Sequence, residues 1–325
     1  MDTGCPTSSE LSEDVCEADH PADISESGWL HVLRRLGGSL ARDGMWLRSA
    51  GVAYCALFAA IPGAAVPVSL VGLLADPRSV HHPVEMLGGL LPPDASAFLA
   101  DQMQAIASAS RVHLGAGLGG GVLAALWGAW SGASGLIAAL NVAYRESEAR
   151  AFLRRAWDAL VIAAATAVFM LLAFVLIALP PLVLAKLPID PSIHAVLSFA
   201  RWPVLAGLCT GALSMLYRFA PCRRAAKWRW VSPGAAAATV LWLVGSAGFS
   251  YYVANFPSYN ETLGVLGTIM MLLTWSYLTA FAVLLGAELN AELERQTTRD
   301  TTRGPARSRG QRGAAVADAR VLDPV

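Results

Sequence analysis

Residues 262–287 read TLGVLGTIMMLLTWSYLTAFAVLLGA, 26 residues without Asp, Glu, Lys or Arg, closed by Glu288 of the run Leu285–Glu292, LGAELNAE. A helix needs roughly 20 mainly apolar residues to cross the hydrocarbon layer of a bilayer, so this stretch predicts a membrane span. Working outward, the same reading finds five more: 230–260, 193–217, 159–185, 112–144 and 49–75. Arg201 interrupts the fourth, which is still read as a span because an arginine near a helix end can extend its guanidinium to the headgroups. Pro62, Pro67 and Pro203 fall inside spans, where a missing backbone donor predicts kinks. The expected fold class is therefore all-α: a polytopic membrane protein, a six-transmembrane-helix bundle with surface amphipathic helices.

Composition agrees. The 325 residues are 55% hydrophobic and 15% charged, with a mean hydropathy of +0.49, whereas a soluble domain carries about 25% charged residues. Lys+Arg and Asp+Glu both number 24, so no bulk positive field exists to hold nucleic acid, and none is expected as a partner. Membrane lipids are the expected partners, with self-association a further expectation. Cys5, Cys16, Cys55, Cys209 and Cys222 form no metal-ligand or redox spacing.

The six-span domain is expected over 27–294. Residues 1–26 hold eight acids and no Lys or Arg, and 295–325 are rich in Arg, Thr, Gly and Ala without periodicity, so both read as disordered cytoplasmic tails. Trp29, Leu33, Leu36 and Leu40 recur at helical spacing beside Arg34 and Arg35, a pattern that suits a helix lying on the membrane surface. Met86, Leu87, Leu90, Leu91, Phe98, Leu99, Met103 and Ile106 predict short amphipathic helices in the long first loop. Of the 24 basic residues, 20 fall before span one, in the 2/3 and 4/5 loops and in the C-terminal segment, and 4 on the other side. The positive-inside rule places both termini in the cytoplasm.

Several motifs carry competing explanations. Gly132-Ala133-Ser134-Gly135 matches the GxSG around a rhomboid-type protease serine, but a serine nucleophile needs a histidine base, and His113 and His194 lie toward the far ends of their spans. Small residues allowing close helix contact account for it better. His81, His82 and Glu85 form a weak metal trio without a fourth donor, so neither a metal nor a cofactor is expected. Trp127, Ser131, Ser134, Ala138 and Asn141 share one helical stripe, and Thr268, Trp275, Thr279 and Gly286 another; they either line a polar cavity or seal helix contacts.

Taken together, local patterns resemble the YihY/virulence factor BrkB family of bacterial inner-membrane proteins. The resemblance rests on Ala53-Tyr54 with Leu57-Phe58 and Pro62; Leu140-Asn141-Val142-Ala143-Tyr144; Tyr217-Arg218-Phe219-Ala220-Pro221; Trp230 with Pro233-Gly234-Ala235; and Trp275 with Leu285–Glu292, which includes Asn290. It covers residues 30–294, and departs from the family pattern at Ala59 and Leu263. It implies six transmembrane helices and an inner-membrane location. Some members carry a ribonuclease BN label, and others are discussed as envelope or lipid-related transport factors. Clustered metal ligands for nuclease chemistry are absent from the short cytoplasmic loops, so a non-enzymatic transporter or lipid/envelope-handling factor is expected, with a membrane scaffold as the alternative. The topology puts Asn141, Arg218 and Glu288 at similar depth near the cytoplasmic ends of spans two, four and six. The sharp expectation is a Glu288–Arg218 pair with Asn141 nearby, forming the polar floor of a cavity for a charged headgroup; the plain one is an interfacial anchor and a helix-end carboxylate.

Overall fold

The computed structural model describes residues 20–74, 111–184, 191–255 and 265–319. A short 3-10 turn, Pro21–Asp23, leads into α1, Glu26–Arg42, whose first turn is capped by Ser25 accepting the Gly28 N–H at 3.1 Å. Six long helices follow: α2 Met45–Leu74, α3 Arg111–Ala143, α4 Phe152–Leu184, α5 Pro191–Phe219, α6 Trp228–Asn255 and α7 Val265–Arg295. The turn α8, Ala315–Asp318, ends the described chain. Over their described residues, five of the long helices are long and apolar enough to cross a membrane, and α2 adds a shorter apolar stretch, Met45–Ala60. Helix α5 runs unbroken through Pro203. The long first loop with His81, His82 and Glu85, the 5/6 loop and residues 1–19 lie outside the described residues.

Each long helix packs on the next, and α7 closes on α2, so the six form a ring. Tight approach within it follows from missing side chains. A Cβ built on Gly128 of α3 would stand 2.8 Å from the Ala59 nitrogen of α2, closer than real Cβ contacts allow. The apolar flanks of the long helices, including Leu123, Met170, Leu171, Phe199, Val204, Val240 and Met270, are exposed, as a surface turned to lipid requires.

Burial concentrates at one pole, where α3, α5 and α7 end and α2, α4 and α6 begin. Met45, Ile137, Leu140, Tyr144, Ala159, Tyr217, Trp230, Val231 and Leu284 form its apolar core with Val32 and Leu36 of α1. Both described chain ends reach this pole: Arg229 meets His20 at 3.3 Å, and Arg224 N–H donates to Gly313 O at 2.9 Å.

Three expectations need correction. The C-terminal segment is not a disordered tail over 295–319. Thr301, Thr302, Arg312 and Val316 are buried, and Ala226 bridges to Thr302. Irregular backbone is stitched in here by polar bonds that carry no sequence period: Arg312 donates to the carbonyls of Thr298 and Ala317 at 2.7 Å each, and Lys227 N–H donates to Thr301 O at 2.8 Å. At the other end, residues 20–26, assigned to the acidic tail, are placed and bury Pro21 and Ile24. Helix α1, whose apolar spacing predicts a helix lying on the membrane surface, turns part of that stripe, Leu36 and Leu40, onto the protein. It docks on α7 through Val32, Leu36, Ser39 and Leu40, whereas Leu33 is 53% exposed, because Arg35 and Ser39 reach a carboxylate on α7 and set the face.

Candidate functional site at the buried pole

Helix α7 runs two turns past the expected end of its span, through Glu288, Asn290, Glu292 and Glu294, all buried. So many polar groups can be buried only where each finds partners. The approach begins at Gly286, where a Cβ would lie 2.5 Å from the Gly234 carbonyl oxygen of α6 and 2.6 Å from the Tyr217 hydroxyl. Glycine at both positions lets α6 and α7 touch backbone to backbone, and Tyr217 Oη donates to Val283 O at 2.7 Å across the same contact. One turn on, Asn290 bridges two elements. Its Oδ1 accepts the Gly234 N–H at 2.8 Å, and its Nδ2 donates to Val231 O at 3.0 Å and to Tyr144 Oη at 3.4 Å.

Glu294 forms the deepest ion pair. Arg223 Nη1 and Nη2 donate to its two oxygens at 2.9 and 2.8 Å, Thr301 Oγ1 donates at 3.0 Å, and neither charged side chain is exposed. The Arg223 guanidinium also lies 3.9 Å from the centroid of the Tyr144 ring. Burial works against the Arg223 charge, yet Glu294 beside it raises its pKa. Burial likewise pushes the Tyr144 phenol well above its usual range. Glu292 is surrounded by cations: Arg35 Nε at 2.9 Å, Arg295 Nη1 at 3.3 Å and Arg145 Nη2 at 4.0 Å, with Ser39 Oγ donating at 2.9 Å.

The sequence-derived trio does not converge as expected. Asn141 staples the end of α3 to the two adjacent loops: its Nδ2 donates to Glu148 at 2.8 Å, and its Oδ1 accepts the Cys222 N–H at 2.7 Å. Arg150 Nε binds the same Glu148 at 2.7 Å, which holds that carboxyl down to about 2. Among the described residues Arg218 and Glu288 form no pair. Arg218 is 6% exposed, with its guanidinium 4.4 Å from the Trp228 ring centroid and 5.5 Å from that of Phe219. Its Nε and Nη1 are buried without a hydrogen-bond partner, no carboxylate reaches it among the described residues, and the positive charge of Arg303 acts on it. Glu288, 1% exposed, faces Asp43 at the joint after α1. Helical depth brought Arg218 and Glu288 to one level, but α5 and α7 turn them to different neighbours.

Ser131 and Ser134 are half-buried on α3, and no histidine meets Ser134 among the described residues. Trp275 seals the α6–α7 contact: its Nε1 donates to Ser246 Oγ at 3.4 Å, and its ring meets Trp242 edge-on at 6.4 Å. Among the described residues no group of three His, Cys, Asp or Glu side chains is arranged to hold a metal ion. The residues that the sequence did not assign to the site, Arg35, Asp43, Tyr144, Arg223, Glu292 and Glu294, come from five separate segments, and no local spacing joins those segments.

The chain that folds into this ring and polar pole matches the family model for virulence factor BrkB over residues 37–311. The chain belongs to the BrkB family. Among its relatives, the ribonuclease-like protein YfkH of Bacillus subtilis is 33% identical over 181 residues, which is 52% of this chain and 62% of that protein. The UPF0761 membrane protein PSHAa0171 of Pseudoalteromonas translucida is 39% identical over 83 residues, 26% of this chain and 27% of its own. A UPF0761 membrane protein of Tolumonas auensis is 37% identical over 81 residues, covering 25% and 26%. The matched stretches thus span less than two thirds of these relatives. No solved structure matches. The BrkB-family chain is a multi-pass helical protein of a bacterial membrane family.

Proposed function

We propose that this protein resides in the bacterial cytoplasmic membrane with both termini inside, and transports or otherwise handles an anionic amphiphile such as an envelope lipid. The observation that carries the reading is Arg218: a nearly buried guanidinium at the end of α5, with two N–H groups unspent and no carboxylate among its described neighbours. A guanidinium presents a planar fork that suits phosphate and carboxylate oxygens. Phe219 and Trp228, both exposed beside it, give the apolar, amphipathic rim expected where chains meet headgroups. Arg303 adds a second positive charge. The distribution of basic residues supports the orientation, since the pole that carries Arg218 also carries the arginine-rich loops.

Nuclease chemistry is not part of this reading. The name of YfkH is that relative's own, and the Glu292 and Glu294 carboxylates are held by Arg35 and Arg223 rather than left open as metal ligands.

The test is transbilayer movement of a labelled anionic phospholipid in vesicles containing the purified full-length protein. Wild type should accelerate it. Arg218→Gln should lose about tenfold or more of that acceleration, the worth of a charge-assisted hydrogen bond, and Arg218→Lys should not restore it. No acceleration by wild type, together with no preference for anionic lipid in co-purification, overturns the reading in favour of a membrane scaffold.

A further inference from the structure

We propose that Asp43 and Glu288 form a proton-binding pair, one shared proton held between two carboxyl groups where the surface helix α1 meets α7. Asp43 caps the end of α1 one residue before Gly44, whose φ of 60° turns the chain into α2. Its side chain is within hydrogen-bonding contact of Glu288 on α7. Carboxylate oxygens only accept, so a hydrogen bond between two carboxyl groups requires that one of them carry a proton.

Among the described residues no cation forms an ion pair with either carboxyl. Arg42, next to Asp43 in sequence, lays its guanidinium back beside Gly38, and Arg48 donates its Nε to the Asp43 backbone carbonyl at 2.9 Å rather than to the carboxylate. Arg145, in the turn after α3, contributes a favourable charge to Glu288, yet its ion pair is with Glu292, as is that of Arg35 from α1. Glu292 itself adds a third negative charge beside the pair. Asp43 Oδ2 and Glu288 Oε1 are both buried, and among the described residues neither accepts from an N–H or hydroxyl donor. Two ionised carboxylates in contact, each with an oxygen shielded from water and next to a third, repel strongly, and uptake of one proton removes that repulsion. A metal ion is the poorer occupant, because no third free ligand completes a site among the described residues.

The placement gives the proton a mechanical consequence. Helix α1 is held on α7 by Arg35 and Ser39 reaching Glu292, one turn from Glu288. Loss of the proton sets like charges against each other at the α1–α2 joint and loosens that dock. If the amphiphile-handling reading holds, on which this last step rests, the pair couples proton binding to the movement of α1 relative to the ring.

Infrared spectroscopy of the full-length protein in detergent tests the pair directly, in a Glu146→Gln background because partial burial also raises the pKa of the Glu146 carboxyl. At neutral pH the spectrum should contain the C=O stretch of a protonated carboxylic acid, and it should vanish as pH rises. Glu288→Gln and Asp43→Asn should each abolish the band and still fold, since an amide N–H replaces the shared proton. Absence of the band in the Glu146→Gln parent, or its survival in both amide variants, overturns the proposal; should neither variant fold, the band of the parent and its loss with pH decide. In vesicles, a pH gradient should change lipid movement several-fold for wild type and leave Glu288→Gln unaffected. Movement indifferent to the gradient overturns the coupling, whereas a band with no movement at all supports the pair and sinks the transport reading.

Discussion

Arg223 and Glu294 meet in a two-pronged ion pair with neither side chain exposed, joining the loop after α5 to the last turn of α7. Removing one partner strands the other charge out of water. Glu294→Gln should therefore destabilise the protein by about 3–5 kcal/mol, while replacing both partners by apolar residues of similar volume should cost much less. Thermal unfolding of the two variants in detergent checks the contrast.

Gly286→Ala drives a methyl group into the Gly234 carbonyl and the Tyr217 hydroxyl. Backbone cannot step aside as a flexible side chain can, so the expected loss is about 1–3 kcal/mol or more, with reduced membrane abundance. Gly245→Ala, where nothing stands within 4 Å, should be tolerated in the same immunoblot and unfolding measurements.

Arg150 and Asn141 hold the Glu148 carboxyl down to about 2 from an ordinary 4.5. A depressed carboxylate contributes stability that is fully present above its unfolded value and is lost as pH falls through its folded value. The α3–α4 turn should thus weaken between about pH 4.5 and 2. Glu148→Gln should be less stable than wild type at pH 7 and should show a flatter decline through that window, measured by unfolding at a series of pH values.

Deleting residues 296–325 removes Thr301 from Glu294, the Thr301 carbonyl from Lys227 and the Gly313 carbonyl from Arg224. Groups buried with those partners are then left unsatisfied, at about 1–3 kcal/mol each, so the truncated chain should be depleted from membranes compared with full length.

Both termini should report from the cytoplasm. A reporter fused after residue 325, which keeps the packed C-terminal segment, should be active as a cytoplasmic reporter and silent as a periplasmic one. The reverse pattern would invert the assigned orientation.

What the sequence determined by itself is what the bilayer enforces locally. Long uncharged stretches had to be helices because hydrocarbon leaves backbone groups no other partners, so six helices and the family were legible from runs such as 262–287 and 285–292. The importance of Asn290 was also within reach, since it sits in a family-like motif. Tertiary structure alone decided what happens beyond the lipid. The segment 296–319 looked disordered because its order rests on irregularly spaced side-chain hydrogen bonds of Arg312, Asp300 and Lys227 to backbone groups, which leave no period in the chain. Arg218 and Glu288 share a depth that sequence can count, but which way each side chain turns depends on how α5 and α7 rotate when packed. That rotation gives Arg218 to Trp228 and Glu288 to Asp43, because Gly234 and Gly286 fix the helix contact through long-range backbone sterics.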